Sequence, residues 1–324
     1  MAVLFATNSA NDLIGSATVY TGAAEARDTN YTSEEIAVAA SPASQTFMDF
    51  PAVDTENLWV HFRWKTASTI SSGAVDGDWI EFDNTSGALV GRIDATNGDL
   101  RAVAYITNGG LWSPSDDTVY AIDIHIQSSS SGVQVDLYVD GALVSTASSA
   151  TNRIDVGGVS FTHNDMVQTA DTYYYSEIIM DDSESTIGCR LHSATPDALG
   201  TYTEMTGVVA DIQDFNDGDN AIADANGERL SWDPPTYTGD TSSGTNVRTI
   251  IAAFDVTTAV TGSGPDRFTQ FLRVGSTDYY GTQQVPGGGT PVRGRQAWAV
   301  NPATAAAWDI ADVDTFEVGI RADT

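Results

Sequence analysis

A chain of 324 residues with 41% hydrophobic side chains is long enough for two domains and too apolar for global disorder, although one large all-β unit fits the length as well. Its 44 acidic residues against 14 basic ones give a formal charge of −30, with Lys65 as the sole lysine; such a field repels nucleic acid and argues against DNA binding or packaging. The single Cys189 excludes an intramolecular disulfide and a thiolate metal cluster, and its neighbours Ile187 and Leu191 predict a packed core thiol, not a nucleophile.

The longest apolar runs fall short of a membrane span, and Met1 to Phe5 carries neither a basic leader nor a sufficient apolar stretch for a secretory signal. The expectation is a soluble protein without membrane insertion that does not take the general secretion route, its acidity serving solubility and self-repulsion.

In chain order, strand-like pieces fall at 17–20 and 36–38, and Phe47-Met48-Asp49-Phe50-Pro51 closes the Ala/Ser/Thr-rich opening. Leu58, Val60, Phe62 and Trp64 then alternate with Trp59, His61, Arg63 and Lys65, which predicts an amphipathic strand whose outward face is aromatic and basic. Strands follow at 79–83, 88–94 and 100–106, parted by the turn signals Asn84-Thr85-Ser86-Gly87 and Asn97-Gly98. Tyr120, Ile122, Ile124 and Ile126 alternate with polar residues up to the reversal at 128–132. Val133, Val135, Leu137 and Val139 repeat the pattern, and Asp140-Gly141 closes onto Ala142-Leu143-Val144. A two-residue Asp-Gly loop suits a type I′ turn, so 120–144 reads as a three-stranded antiparallel meander.

Strands at 156–162 and 173–180 complete a first region. Short strands at this spacing, with almost no helical periodicity, predict a β-sandwich or jelly roll. The polar run Asp181-Asp182-Ser183-Glu184-Ser185 marks a boundary, giving domains 1–182 and 183–324. The second domain reads as smaller and mainly β, with strands at 247–257, 268–275 and 315–322, loops at Pro234-Pro235 and 287–289, and one short helix over 302–309 capped by Asn301.

The meander with Tyr138-Val139-Asp140-Gly141 resembles the hairpin of laminin-G-like and concanavalin-A-like jelly rolls, a likeness that covers 1–180 and includes Ile80-Glu81-Phe82 and Val90-Gly91-Arg92-Ile93. It implies two stacked antiparallel sheets and no particular activity, since this fold hosts lectins, hydrolases and spacers alike. A second likeness joins 174–182, 187–191 and Thr195-Pro196 to Asn301-Pro302-Ala303-Thr304, Trp308 and 316–320, and is similar to virion proteins of tailed bacteriophages. It implies a place on a virus particle assembled in the host cytoplasm, with other virion proteins as partners and no defined site residues.

The chemistry-bearing patterns are sparse. Glycosidases on sandwich folds aim closely spaced carboxylates from one strand at a sugar bond. Glu81-Phe82-Asp83 begins such a pattern, but Thr85 and Ser86 stand where a second glutamate is needed. Asp214, Asn216 and Asp219 have oxygen ligands spaced somewhat like a Ca²⁺ loop, although the sixth and twelfth positions of a helix-loop-helix site hold Asp219 and Ala225; a polar turn is the plainer reading. His163, Asn164 and Asp165, expected in a loop, carry groups that bind sugar hydroxyls or simply stabilise a turn. Trp59 and Trp112, with Trp79 and Tyr174, are candidates for stacking on sugar rings, a role that competes with packing or subunit contacts. No serine elbow, phosphate loop or dinucleotide fingerprint is present.

The expectation is therefore a non-enzymatic structural component exposed on a tailed-phage particle as a tail, baseplate or head appendage, homo-oligomeric, and in contact with host-surface polysaccharide. A lectin-like adhesin is the alternative, with a head decoration protein or a polysaccharide hydrolase behind it. No cofactor other than Ca²⁺ is expected.

Overall fold

The computed structural model describes residues 3–7, 25–26, 37–40, 48–66, 77–151, 155–164, 173–192, 196–208, 220–237, 246–257, 264–286 and 292–324. Among them no helix is long and apolar enough to cross a membrane. The chain divides into two compact units, Met1–Ser193 and Ala194–Thr324.

The first unit contains β1 (Val3–Thr7), β2 (Glu25–Ala26), β3 (Ala37–Ala40), β4 (Met48–Thr55), β5 (Asn57–Thr66), β6 (Gly77–Asp83) and β7 (Leu89–Thr96). It continues through β8 (Asp99–Ala104), β9 (Thr107–Asn108), β10 (Val119–Ser129), β11 (Gly132–Val139), β12 (Ala142–Ser149), β13 (Val156–Asn164) and β14 (Tyr173–Asp181). An eight-stranded sheet has the order β12-β11-β10-β5-β14-β3-β2, with β1 also on β14, and a six-stranded sheet has the order β4-β13-β6-β7-β8-β9. Every pairing in the two sheets is antiparallel.

The alternation in the sequence explains the sandwich. Leu58, Val60, Phe62 and Trp64 of β5, with the isoleucines of β10 and Val135 and Leu137 of β11, form one buried cluster with Trp79, Ile80 and Phe82 of β6 and Phe161 of β13. Trp79 is fully buried, and its indole donates to the Tyr175 hydroxyl at 2.6 Å, which satisfies a polar group the core would otherwise strand. The meander expected over 120–144 is present as β10, β11 and β12, with Asp140 and Gly141 both at positive φ (48° and 78°), as a type I′ turn requires.

The outer face of β5 corrects one expectation. Trp59, His61 and Lys65 are buried, so this face is not a bare aromatic and basic surface. The segment after β14 accounts for part of the cover. Thr186, itself fully buried, donates to Asp123 Oδ1 at 2.7 Å, the same oxygen that His61 Nδ1 meets at 2.8 Å. The Arg190 guanidinium and the Leu191 amide both bind the buried carboxylate of Glu177. These anchors keep 183–191 on the first unit, which ends at Ser193 and not at 182. Cys189 lies in this segment half-buried, so it is not the core thiol its neighbours predicted.

The second unit contains β15 (Ala198–Thr203), β16 (Arg229–Asp233), β17 (Ile250–Val256), β18 (Arg267–Val274), β19 (Thr277–Gln284), β20 (Val292–Trp298) and β21 (Phe316–Asp323). Five strands make an antiparallel sheet in the order β15-β16-β21-β18-β19, and β17 pairs with β20. Leu230, Trp232, Phe268 and Ile320 from the larger sheet form one apolar cluster with Phe254 of β17, and the buried Gln270 side chain donates to the Gly294 carbonyl of β20 at 3.0 Å. The unit is thus a second, smaller layered β structure.

The helix expected over 302–309 is not formed. Asn301 bridges to Ala306, its side chain accepts from the Ala303 amide, and Ala305 takes a left-handed φ of 57°, which no α-helix tolerates. Trp308 is buried there with its indole donating to the Trp298 carbonyl at 2.7 Å, and only a 3₁₀ turn, Ile310–Asp312, follows. Burial of that indole outweighs the helix preference of the alanines.

Candidate functional site

The strands of the five-stranded sheet put their apolar residues on one face and a polar, aromatic set on the other. On β18, Phe268 and Leu272 enter the core clusters, while Phe271 and Arg273 point the opposite way. On β21 the matching positions are Glu317, Gly319 and Arg321, opposite Arg273, Phe271 and Thr269. The Phe271 ring lies directly over Gly319, so a Cβ at 319 would overlap it. Glycine is required there by this close approach.

Around that ring the face is built from stacked pairs. Tyr202 meets Phe271 edge-on at 5.9 Å, and Tyr280 lies tilted against it at 5.5 Å. The Arg229 guanidinium sits 3.6 Å from the Tyr202 ring centroid, and that of Arg321 lies 4.3 Å from the Tyr280 centroid. Tyr280 stays 41% exposed.

Charge on this face is closely matched. Glu204 takes both Nε (3.3 Å) and Nη2 (3.0 Å) of Arg229, and Asp278 accepts from Arg229 Nη1 (3.3 Å), Arg273 Nη1 (2.6 Å) and the Tyr202 hydroxyl (2.7 Å). The Arg229 bonds hold Glu204 below the usual carboxylate range. Burial pushes Asp278 up, but the hydrogen bonds from Tyr202 and Arg273 outweigh it and bring it below that range. Glu317 and Asp323 follow the same rule, burial being outweighed by Ser231 and Thr201 at the first and by Arg321 and Thr269 at the second. Burial, then the bond to Asp278, raises Tyr202, which therefore remains a phenol. The result is a rigid, preorganised surface of rings, hydroxyls, guanidiniums and carboxylates on a sheet, suited to holding a hydroxyl-rich ligand.

Sequence reasoning did not single out these residues. The usable signal is the alternation Arg267, Thr269, Phe271, Arg273 against Phe268, Gln270, Leu272, Val274, but β15 and β19, which supply Tyr202, Asp278 and Tyr280, carry no comparable apolar alternation.

The residues expected to bind ligand are scattered. Trp59 is buried under His125, its ring stacked at 4.0 Å, with Tyr138 at 5.7 Å. Trp112 is half-buried and meets Tyr120 edge-on at 4.9 Å, packed against the sandwich core. Both therefore pack within the first unit. The backbone of His163 and Asn164 belongs to the end of β13 and not to a loop, because it continues the pairing with β6 as far as Asn164 opposite Asp78; their side chains, and Asp165, lie outside the described residues. Asp214, Asn216 and Asp219 also lie outside them, and among the described residues no group of three or more His, Cys, Asp or Glu is placed to hold a metal ion.

A second polar cluster occupies the outer face of the six-stranded sheet. Arg92 pairs with Asp78 at 2.9 Å and hydrogen-bonds the buried Asp94, which Arg101 meets at 3.3 Å. Burial, then a hydrogen bond with Asp78 and the charges of Asp78 and Asp83, raises Glu81 to about 7. The partner of Glu81 is thus Asp78, and Asp83 acts as a nearby negative charge.

No family model matches this chain, and no curated protein matches it. Among solved structures, the receptor binding domain of botulinum neurotoxin mosaic serotype C/D is similar at 10% identity over 73% of this chain and 71% of its own, with a TM-score of 0.44. The serotype D ligand binding domain, solved in complex with N-acetylneuraminic acid, shows 13% identity over 86% of this chain and 72% of its own, with a TM-score of 0.40. A sialidase shows 13% identity over 46% of this chain and a TM-score of 0.34, and the chain spans 15% of its length. At these identities and scores the likenesses say nothing about ligand or activity. Strand pairing defines the class as an all-β antiparallel sandwich protein with a second, smaller β unit.

Proposed function

We propose that this chain is a non-enzymatic, lectin-like module that contacts glycan through the Tyr202–Tyr280 face of its second unit. One observation carries the reading: a half-exposed aromatic platform is locked by guanidinium stacking and flanked by fixed hydrogen-bonding groups. Sugar rings offer such a surface apolar C–H faces for the rings and hydroxyls for the polar flank. The β-sandwich is then the scaffold, and the resemblance of 174–182, 187–191 and 195–196, with 301–304, Trp308 and 316–320, to tailed-phage virion proteins supports a setting on the outside of a particle, among other copies and other virion proteins.

The test is a glycan array with the intact chain beside a Tyr280→Ala variant. Retention on one or more glycans, reduced about fivefold by the variant, is the expected result, since a stacking contact is worth about 1 kcal/mol. Absence of retention on every glycan would end the glycan reading. Labelling of purified particles tests the setting separately, and absence of label would remove the virion assignment without touching the binding result.

A further inference from the structure

We infer that the glycan taken by the Tyr202–Tyr280 face is a neutral polysaccharide, without carboxylate, sulfate or phosphate groups; the inference rests on the reading that this face contacts glycan at all.

Recognition of an acidic sugar needs a cation whose charge is not already matched by protein carboxylates, because the ligand's charge must replace hydration with charge-assisted contacts. Each arginine around the platform is already paired with a protein carboxylate. Arg229 spends Nε and Nη2 on Glu204 and Nη1 on Asp278. Arg273 binds Asp278 and the Tyr202 hydroxyl through Nη1, and its Nε, which makes no hydrogen bond, forms an ion pair with Glu317 at 3.7 Å. Arg321 donates Nε to Asp323 at 2.7 Å. Arg267, at the end of β18, is exposed and pairs with Asp266 at 3.7 Å. An incoming anion would have to displace one of these carboxylates and then sit beside the others.

Arg229, Arg273 and Arg321 face Glu204, Asp278, Glu317 and Asp323, and each of those four carboxyls is held below its usual range, hence ionised at neutral pH. This face therefore carries a slight excess of negative charge, within a chain whose formal charge is −30. That field lowers the local concentration of a polyanion and slows its approach. A neutral sugar meets no such barrier. Its hydroxyls donate to the Glu204 carboxylate, the most exposed of the four, and its C–H face packs on the exposed part of Tyr280.

The test uses the intact chain in titration calorimetry against neutral polymers (dextran, yeast mannan, a galactan) and acidic ones (polysialic acid, polygalacturonate), at low and at high salt. Binding to a neutral polymer that is unchanged by salt and by Arg267→Glu, with weaker or undetectable binding to both acidic polymers, is the expected result. Tighter, salt-sensitive binding of an acidic polymer would overturn the inference and leave the glycan reading in place. Binding to none of the five polymers would overturn the inference alone if the array shows retention of another, charged glycan, and would overturn both if the array is blank. The comparison is made on the unaltered protein, so it does not depend on how any variant folds.

Discussion

Gly319 is the residue on which the platform turns. The Phe271 ring occupies the space a side chain would need, and Tyr202 and Tyr280 are positioned by that ring. Gly319→Ala is expected to lift Phe271 and cost about 1–3 kcal/mol, the usual range for overpacking. Thermal melting followed by near-ultraviolet circular dichroism reads both effects, and an unchanged melt with an unchanged aromatic signal would show that the ring does not depend on Gly319. Glu81 makes the opposite kind of prediction. Its folded-state pKa is raised from 4.5 to about 7, so between those values the folded chain holds a proton the unfolded chain has lost, and stability falls as pH rises through that window. Glu81→Gln removes the penalty. It should stabilise the first unit at about pH 8 by about 1–2 kcal/mol, allowing for partial solvent screening, and change little near pH 4. Equal effects at both pH values would sink the assignment.

At the scale of elements, the segment 183–191 decides where the first unit ends. It has no strand or helix, and holds its place through Thr186 on Asp123 and through Arg190 and Leu191 on Glu177. Glu177 has a positive φ of 51° and is fully buried, so its charge depends on these partners and on Arg63 at 3.7 Å. Arg190→Ala should cost about 1–2 kcal/mol, less than for an enclosed pair because the arginine side chain is 56% exposed. Limited proteolysis should then cut within 183–191 faster than in the unaltered chain, and an unchanged cleavage pattern would show that the segment is held by other contacts. The same segment explains why the outer face of β5 misled a strand-based reading: alternation tells which side chains leave the core, not whether another piece of chain covers them.

Across the whole molecule, the two units have separate hydrophobic clusters, and Glu81 of the first titrates in the opposite sense to the arginine-paired carboxyls of the second, while burial lowers His125 in the first unit and raises Asp233 in the second, each against its own unit's trend. Glu204, Asp278, Glu317 and Asp323 have depressed folded-state values, so their contribution is present above the unfolded carboxylate pKa and is lost as pH falls through the lower, folded one. Calorimetry should resolve two transitions. Between pH 7 and about 4.5 the first unit's transition carries the gain from Glu81 against the opposing protonation of His125, while the second unit's transition weakens below about pH 4. Two transitions that move together, or a single one, would contradict separate cores with separate charge networks.

Much of the first unit was legible in the sequence, because a two-residue period states directly which side of a strand meets the core, and Asp140-Gly141 states how two strands join. Leu58 to Trp64 and Tyr120 to Val144 needed no other information. The candidate site was not legible, since Tyr202, Arg229, Phe271, Tyr280 and Gly319 come from five strands and no local spacing relates them. Nor was the fate of 302–309, where a buried Trp308 overrides local alanine preference. Sequence fixes periodicity and turn chemistry locally; which strands become neighbours, and which outward faces are then covered, is settled only when long-range pairing brings distant segments into one sheet.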